Sequence, residues 1–83
     1  SPLASFYDQY LSRKIQQCEN TASVFTTCTN PQMKRLVEMR AQQAGYYRTH
    51  RPALIQEMAK QNLGTDSHRI DYFLITQFKR SGH

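Results

Sequence analysis

The side chains able to do chemistry in this chain of 83 residues are few and far apart: Cys18 and Cys28, three histidines and six carboxylates. Zinc sites use short paired spacings of Cys and His, and Cys18-x9-Cys28 is not one of these. His50, His68 and His83 are not spaced to share a metal ion with each other or with the cysteines. There is no Gly-rich phosphate loop, nucleophile elbow or His pair at i, i+4. Asp8, Glu19, Glu38, Glu57, Asp66 and Asp71 stand apart, each readable as a helix cap, a helix-surface charge or an ion-pair partner. So short a chain also struggles to build both a core and a water-excluding pocket. The expectation is a protein that is not an enzyme, with no metal and no cofactor.

A disulfide is the remaining chemistry open to the cysteines. On one straight helix Cys18 and Cys28 would lie about 15 Å apart, against a Cα limit of roughly 7 Å for a bridge. A Cys18–Cys28 bridge therefore requires a turn between them. Such a staple contributes about 3 kcal/mol on the chain-entropy estimate and implies an oxidising compartment. The alternative is a pair of free, partly buried thiols. The spacing is similar to half of the twin CX9C motif of small mitochondrial intermembrane-space proteins, which have a second such pair on a facing helix; this chain has no third cysteine.

The elements that would position these residues read as helices. Leu3, Phe6, Tyr7, Tyr10, Leu11, Ile15 and Cys18 recur at the 3, 4, 7 spacing of an amphipathic helix from Pro2 to Glu19, with Ser1 as its cap. Beyond it the Thr-, Ser- and Asn-rich stretch favours a turn, although Ala22 and Phe25 stay in phase with a helix that runs on. Asn30-Pro31 opens a second helix to Thr49 with Met33, Leu36, Val37, Ala44 and Tyr47 on one face and Gly45 as a close-packing site. A third helix spans Pro52 to Asn62 with Leu54, Ile55, Met58 and Ala59, and a fourth spans Ser67 to Lys79 with Ile70, Phe73, Leu74 and Phe78. Gly64 suits the left-handed stop between them, and Thr65 or Asp66 the next cap. The β-branched and aromatic run from Asp71 to Phe78 also admits a strand. Residues 81–83 read as a frayed end. The fold expected is all-α: one domain over residues 1–83, a small bundle of four short helices with Cys18–Cys28 as its staple.

Function then rests on faces and charge. Eleven Lys and Arg against six Asp and Glu give a net charge of +5, spread along the chain without a polybasic run. No stretch approaches the roughly 20 apolar residues of a membrane span. The chain opens on Ser1-Pro2 and not Met, as expected of a processed product or of a chain trimmed at its start. With a bridge, the bacterial envelope is the first setting to consider. Met39 and Tyr46 on the second helix, and Tyr72 and Ile75 on the fourth, lie off the main stripes. Arg40 falls in the middle of the second helix's apolar face, where it packs its stem and reaches out, pairs with a buried carboxylate such as Glu57 or Asp71, or marks a binding surface.

These residues make the first expectation a protein-interaction module, an adaptor or accessory factor. It grips another protein or a second copy of itself through Met39, Arg40, Tyr46, Tyr72 and Ile75, with basic residues at the rim. The second expectation is DNA binding. Gly64, Ile70 and Phe73 resemble the turn and second helix of a helix-turn-helix, whose groove-reading positions would be Ser67, His68 and Arg69. That motif has a small residue four before the turn glycine; here Lys60 holds the place.

Overall fold

A computed structural model of the chain describes residues 1–24 and 27–83 and contains four helices, α1 (Pro2–Val24), α2 (Pro31–Thr49), α3 (Arg51–Lys60) and α4 (Ser67–Arg80). Among the described residues there is no strand, so Asp71 to Phe78 is helical. No helix among the described residues is long and apolar enough to cross a membrane.

Local chemistry sets most helix ends. Ser1 Oγ accepts from the Ala4 amide at 3.2 Å and opens α1. Asn30 Oδ1 accepts from the amides of Gln32 (2.8 Å) and Met33 (3.3 Å), with Pro31 as the first helical residue. Asp66 Oδ1 does the same for His68 (3.0 Å) and Arg69 (3.4 Å) at α4. The end of α3 differs from expectation. Asn62, not Gly64, takes the left-handed position that stops the helix (φ 55°), with Asn62 N–H donating to Ala59 and Leu63 N–H to Met58. This is a Schellman stop, with Leu63 folding back onto the core. Gly64 follows as a second left-handed residue (φ 60°).

Helix α1 runs five residues past Glu19. The polar stretch stays helical because Thr21 Oγ1 donates back to the Gln17 carbonyl at 3.0 Å and Gln16 Nε2 donates to Asn20 Oδ1 at 2.9 Å. Those polar groups are thus satisfied inside the helix, not in a turn. Phe25 lies outside the described residues. This extension corrects the expected Cys18–Cys28 bridge: both cysteines are free. Val24 lies about 9 Å along the axis beyond Cys18, and Cys18 is buried against α2, its Sγ 3.7 Å from Gln43 Oε1. The envelope setting, which leaned on the bridge, loses that premise.

Helices α1 and α2 form an antiparallel pair, tied at Cys18–Gln43 and Glu19–Arg48 (2.7 Å), and at Asp8–Arg51 (2.8 Å) just past the end of α2. Helix α4 lies across this pair. Its first turns meet Tyr10 and Lys14 of α1, and Phe78 near its end packs edge-on to Tyr46 and Tyr47 of α2. His83, expected to fray, stacks on Phe78 at 4.4 Å. The core gathers Tyr7, Leu11 and Ile15 of α1, Tyr47 of α2, Leu54 and Met58 of α3, and Ile70, Phe73, Leu74 and Phe78 of α4. Gly45 is not a close-packing site, since a side chain there would meet nothing within 4 Å. The molecule measures 44 × 22 × 22 Å, because the α1–α2 pair projects beyond α4.

Candidate functional site

Two neighbouring surfaces are built around α4. One is its outer face. At 100° per residue, His68, Arg69, Tyr72, Ile75, Thr76, Lys79 and Arg80 share one side of the helix. All are exposed except Thr76, which is half-buried, and Tyr72 reaches 76% exposure in the middle of the face. Every charge on this side is positive. The helix's own carboxylate, Asp71, points the other way, accepting from Tyr10 Oη at 2.5 Å and pairing with Lys14 at 3.1 Å. Asp66 at the cap lies 3.7 Å from Arg69. Tyr72, Ile75 and Thr76, with Lys79 and Arg80, wall a shallow groove.

The second surface is a cleft of about 300 Å³ between α1, α2 and α4, to which Ile75 is again a wall. Cys18, Tyr47 and Leu74, all buried, contribute its apolar lining, and Lys14, Arg40, Gln43 and Asp71 its polar lining. Arg40 is half-buried and Nη1 donates to Gln43 Oε1 at 2.7 Å. Neither carboxylate expected as its partner meets it: Asp71 is held by Tyr10 and Lys14, and Glu57 accepts from Gln61 just past the end of α3. Burial pushes the Cys18 thiol up from its usual range, opposed by the nearby charges of Arg40 and Lys14. Burial, followed by the hydrogen bond and charge of Asp71, likewise raises the Tyr10 phenol, and burial raises that of Tyr47. At neutral pH all three are uncharged, which leaves Lys14, Arg40 and Asp71 to set the charge of the cleft.

The residues singled out in the sequence fall into three places. Tyr72 and Ile75 stand together on the exposed face of α4, and Arg40 lines the adjoining cleft. Tyr46 is half-buried in a cluster of rings, 4.5 Å from His50 and 5.9 Å from Phe78. Met39, seven residues earlier on nearly the same side of α2, is 41% exposed about 10 Å further along. Ser67, His68 and Arg69 are all exposed at the start of α4, the last two on the same face as Tyr72. Cys28 is half-buried in the α1–α2 connection.

Gln43 went unnoticed in the sequence, although it is only 4% exposed. Its signal was positional: it lies three residues after Arg40 and four before Tyr47, on the face already assigned to the core. No grouping of three or more His, Cys, Asp or Glu able to hold a metal ion occurs among the described residues. Comparison with protein-family models, with curated proteins and with solved structures returned no match.

Proposed function

We propose that the chain is a non-enzymatic protein-interaction module that docks a partner of acidic surface on the outer face of α4. The observation that carries this reading is the pairing of Tyr72 and Ile75 (76% and 42% exposed) at the centre of a helix face whose every charge is positive. Aromatic anchors surrounded by charged rims are the usual anatomy of a protein interface. Ile75 also walls the adjoining cleft, where the buried side chains of Leu74 and Cys18 form a wall suited to an apolar side chain. A second copy of the chain fits less well. Antiparallel pairing of two α4 faces about a two-fold axis would set Arg69 of each against Lys79 and Arg80 of the other, placing like charges opposite one another.

Nucleic acid is the second reading, favoured by the same cations and by Ser67, His68 and Arg69 at the exposed start of α4. Against the helix-turn-helix form of it, Lys60 and Ala59 both face solvent, so no small residue lies beneath α4 at the crossing.

A photoreactive amino acid in place of Tyr72 tests both. The expected result in the source cells is an adduct with one discrete protein, absent when Ile75 is changed to Asp and retained in 200 mM salt. Adducts to DNA or RNA, with affinity falling steeply between about 50 and 200 mM salt through counterion release, would replace the first reading with the second.

A further inference from the structure

The cleft between α1, α2 and α4 contains more hydrogen-bond donors than its own acceptors can use. Gln43 shows this best. Its Oε1 must face Arg40, because a guanidinium has no acceptor to offer, and it takes the 2.7 Å bond from Nη1 and the Cys18 thiol at 3.7 Å. That orientation leaves the Nε2 amide of a side chain 4% exposed with no acceptor among the described residues, at the wall of the cleft. Arg40 has further N–H groups beyond the one Gln43 accepts, and its partner is neutral. Lys14 is matched by Asp71, but only one of its three N–H bonds is used in that pair. The Lys14 and Asp71 charges offset each other, so the cleft holds one surplus positive charge, that of Arg40.

We propose that this cleft is a carboxylate-binding site, with the ligand's two oxygens accepting from the Arg40 guanidinium and from Gln43 Nε2. A planar carboxylate matches the fork of a guanidinium. A single negative charge matches the single surplus cation, and Asp71 on the same wall opposes a more highly charged anion such as phosphate. Leu74, Ile75 and Cys18 supply apolar contact for a short carbon chain. The volume of about 300 Å³ is at the lower end of ligand pockets, room for one acidic side chain or one small organic acid. The site stands independently of docking on α4. Because Ile75 also walls the α4 groove, a glutamate or aspartate of a docked partner is one source of the carboxylate, and a free small acid is the other.

The test is a titration of the full chain with sodium butyrate, a monocarboxylate with a short carbon chain, against sodium chloride of matched ionic strength, read from the side-chain ¹⁵N signals of Gln43 and Arg40. The expected result is saturable movement of both signals at concentrations on the order of 1–10 mM. Arg40→Gln should weaken binding at least about tenfold. Gln43→Glu, which places a carboxylate inside the cleft beside Arg40, should abolish it while the thermal melt stays cooperative, so loss of folding is separable from loss of the site. The capped tripeptide Leu-Glu-Leu binding about tenfold tighter than butyrate identifies a partner's side chain as the source, and the reverse order identifies a free acid. Shifts that follow ionic strength alone, butyrate binding unchanged by Arg40→Gln or Gln43→Glu, or inorganic phosphate binding more tightly than butyrate would each overturn the proposal.

Discussion

The half of the molecule where α3 and α4 lie against the α1–α2 pair and the half where that pair stands alone differ in what they bury. Among the described residues, every buried apolar side chain belongs to the first half. From Glu19 to Gln42 no described residue is buried, although Ala22, Met33, Leu36 and Val37 continue the apolar stripes and are half-buried. Two helices can press their stripes together but leave both flanks wet; a third layer is needed to exclude water. Hydrophobic pattern is therefore alike in the two halves, and burial is set by what lies across it. The cleft marks the boundary. Cys18, Arg40 and Gln43 sit where α4 stops covering the pair, which is why a surplus cation and an unmatched amide are left there.

The sharpest way to break this comparison is to remove apolar side chains on each side of the boundary. Phe78→Ala takes a ring 1% exposed out of the core, and a loss of about 3–5 kcal/mol is expected. Leu36→Ala in the projecting half should cost about 1 kcal/mol, since the side chain is half in water already. Urea unfolding followed by circular dichroism measures both. Equal losses would mean that the projecting half is covered in solution by something α4 does not supply.

The covered half also contains a defect that the projecting half has no means to impose. Tyr7 is fully buried, and its hydroxyl is a buried side-chain polar atom without a hydrogen-bond partner among the described residues. An unsatisfied buried hydroxyl costs about 1–3 kcal/mol. Tyr7→Phe should thus raise the unfolding midpoint, an uncommon direction for a change in a core. Gly45→Ala should raise it too, by about 1 kcal/mol, because the new methyl meets nothing and the helix gains a better former. A drop in stability for Tyr7→Phe would mean the hydroxyl has a partner, such as an ordered water.

The two thiols sharpen the comparison chemically. Cys18 is buried in the covered half with its ionisation held back by burial, whereas Cys28 is half-exposed in the connection at the far end. Only the thiolate reacts. Iodoacetamide near pH 8 should label Cys28 at least about tenfold faster than Cys18, followed by peptide mass mapping. Comparable rates would show that the core around Cys18 opens as readily as the connection. Failure of both to label would restore the bridge that the sequence suggested.

What was legible in the sequence follows the same divide between local and distant causes. The caps at Ser1, Asn30 and Asp66, and both ends of α2, depend on neighbours within four residues and could be read directly. The length of α1 could not, because Asn20, Thr21 and Ser23 favour turns by type and only the Thr21–Gln17 bond reconciles Thr21 with a helix. Asn62 displaced Gly64 at the α3 stop because either residue tolerates the left-handed region, and the fold of Leu63 onto the core decided between them. Arg40 could be recognised as misplaced on an apolar face, but not its partner. Tyr10 and Lys14 reach Asp71 across about 60 residues of chain and take the carboxylate away from it, a pairing fixed only when α4 crosses α1. Gln43 was missed for the complementary reason: an amide on a helix reads as surface until a neighbouring element covers it.

The smallest expected effects come from the two Asx caps, one in each half. Asp66→Ala removes the bonds to the His68 and Arg69 amides at the start of α4, the helix that covers the core, and should cost about 1 kcal/mol of global stability. Asn30→Ala removes the equivalent bonds at Gln32 and Met33 in the projecting half. There the first turn of α2 can open without exposing the core, so the cost should be confined to local exchange. Native-state hydrogen exchange separates these outcomes. Asp66→Ala should accelerate the slowest amides of the whole molecule, Tyr47 and Leu74 among them. Asn30→Ala should accelerate only the first turns of α2, with the global rate moved by less than about 0.5 kcal/mol equivalent. If Asn30→Ala also speeds exchange at Tyr47, the projecting half folds as one unit with the body, and the boundary at the cleft separates two levels of burial but not of stability.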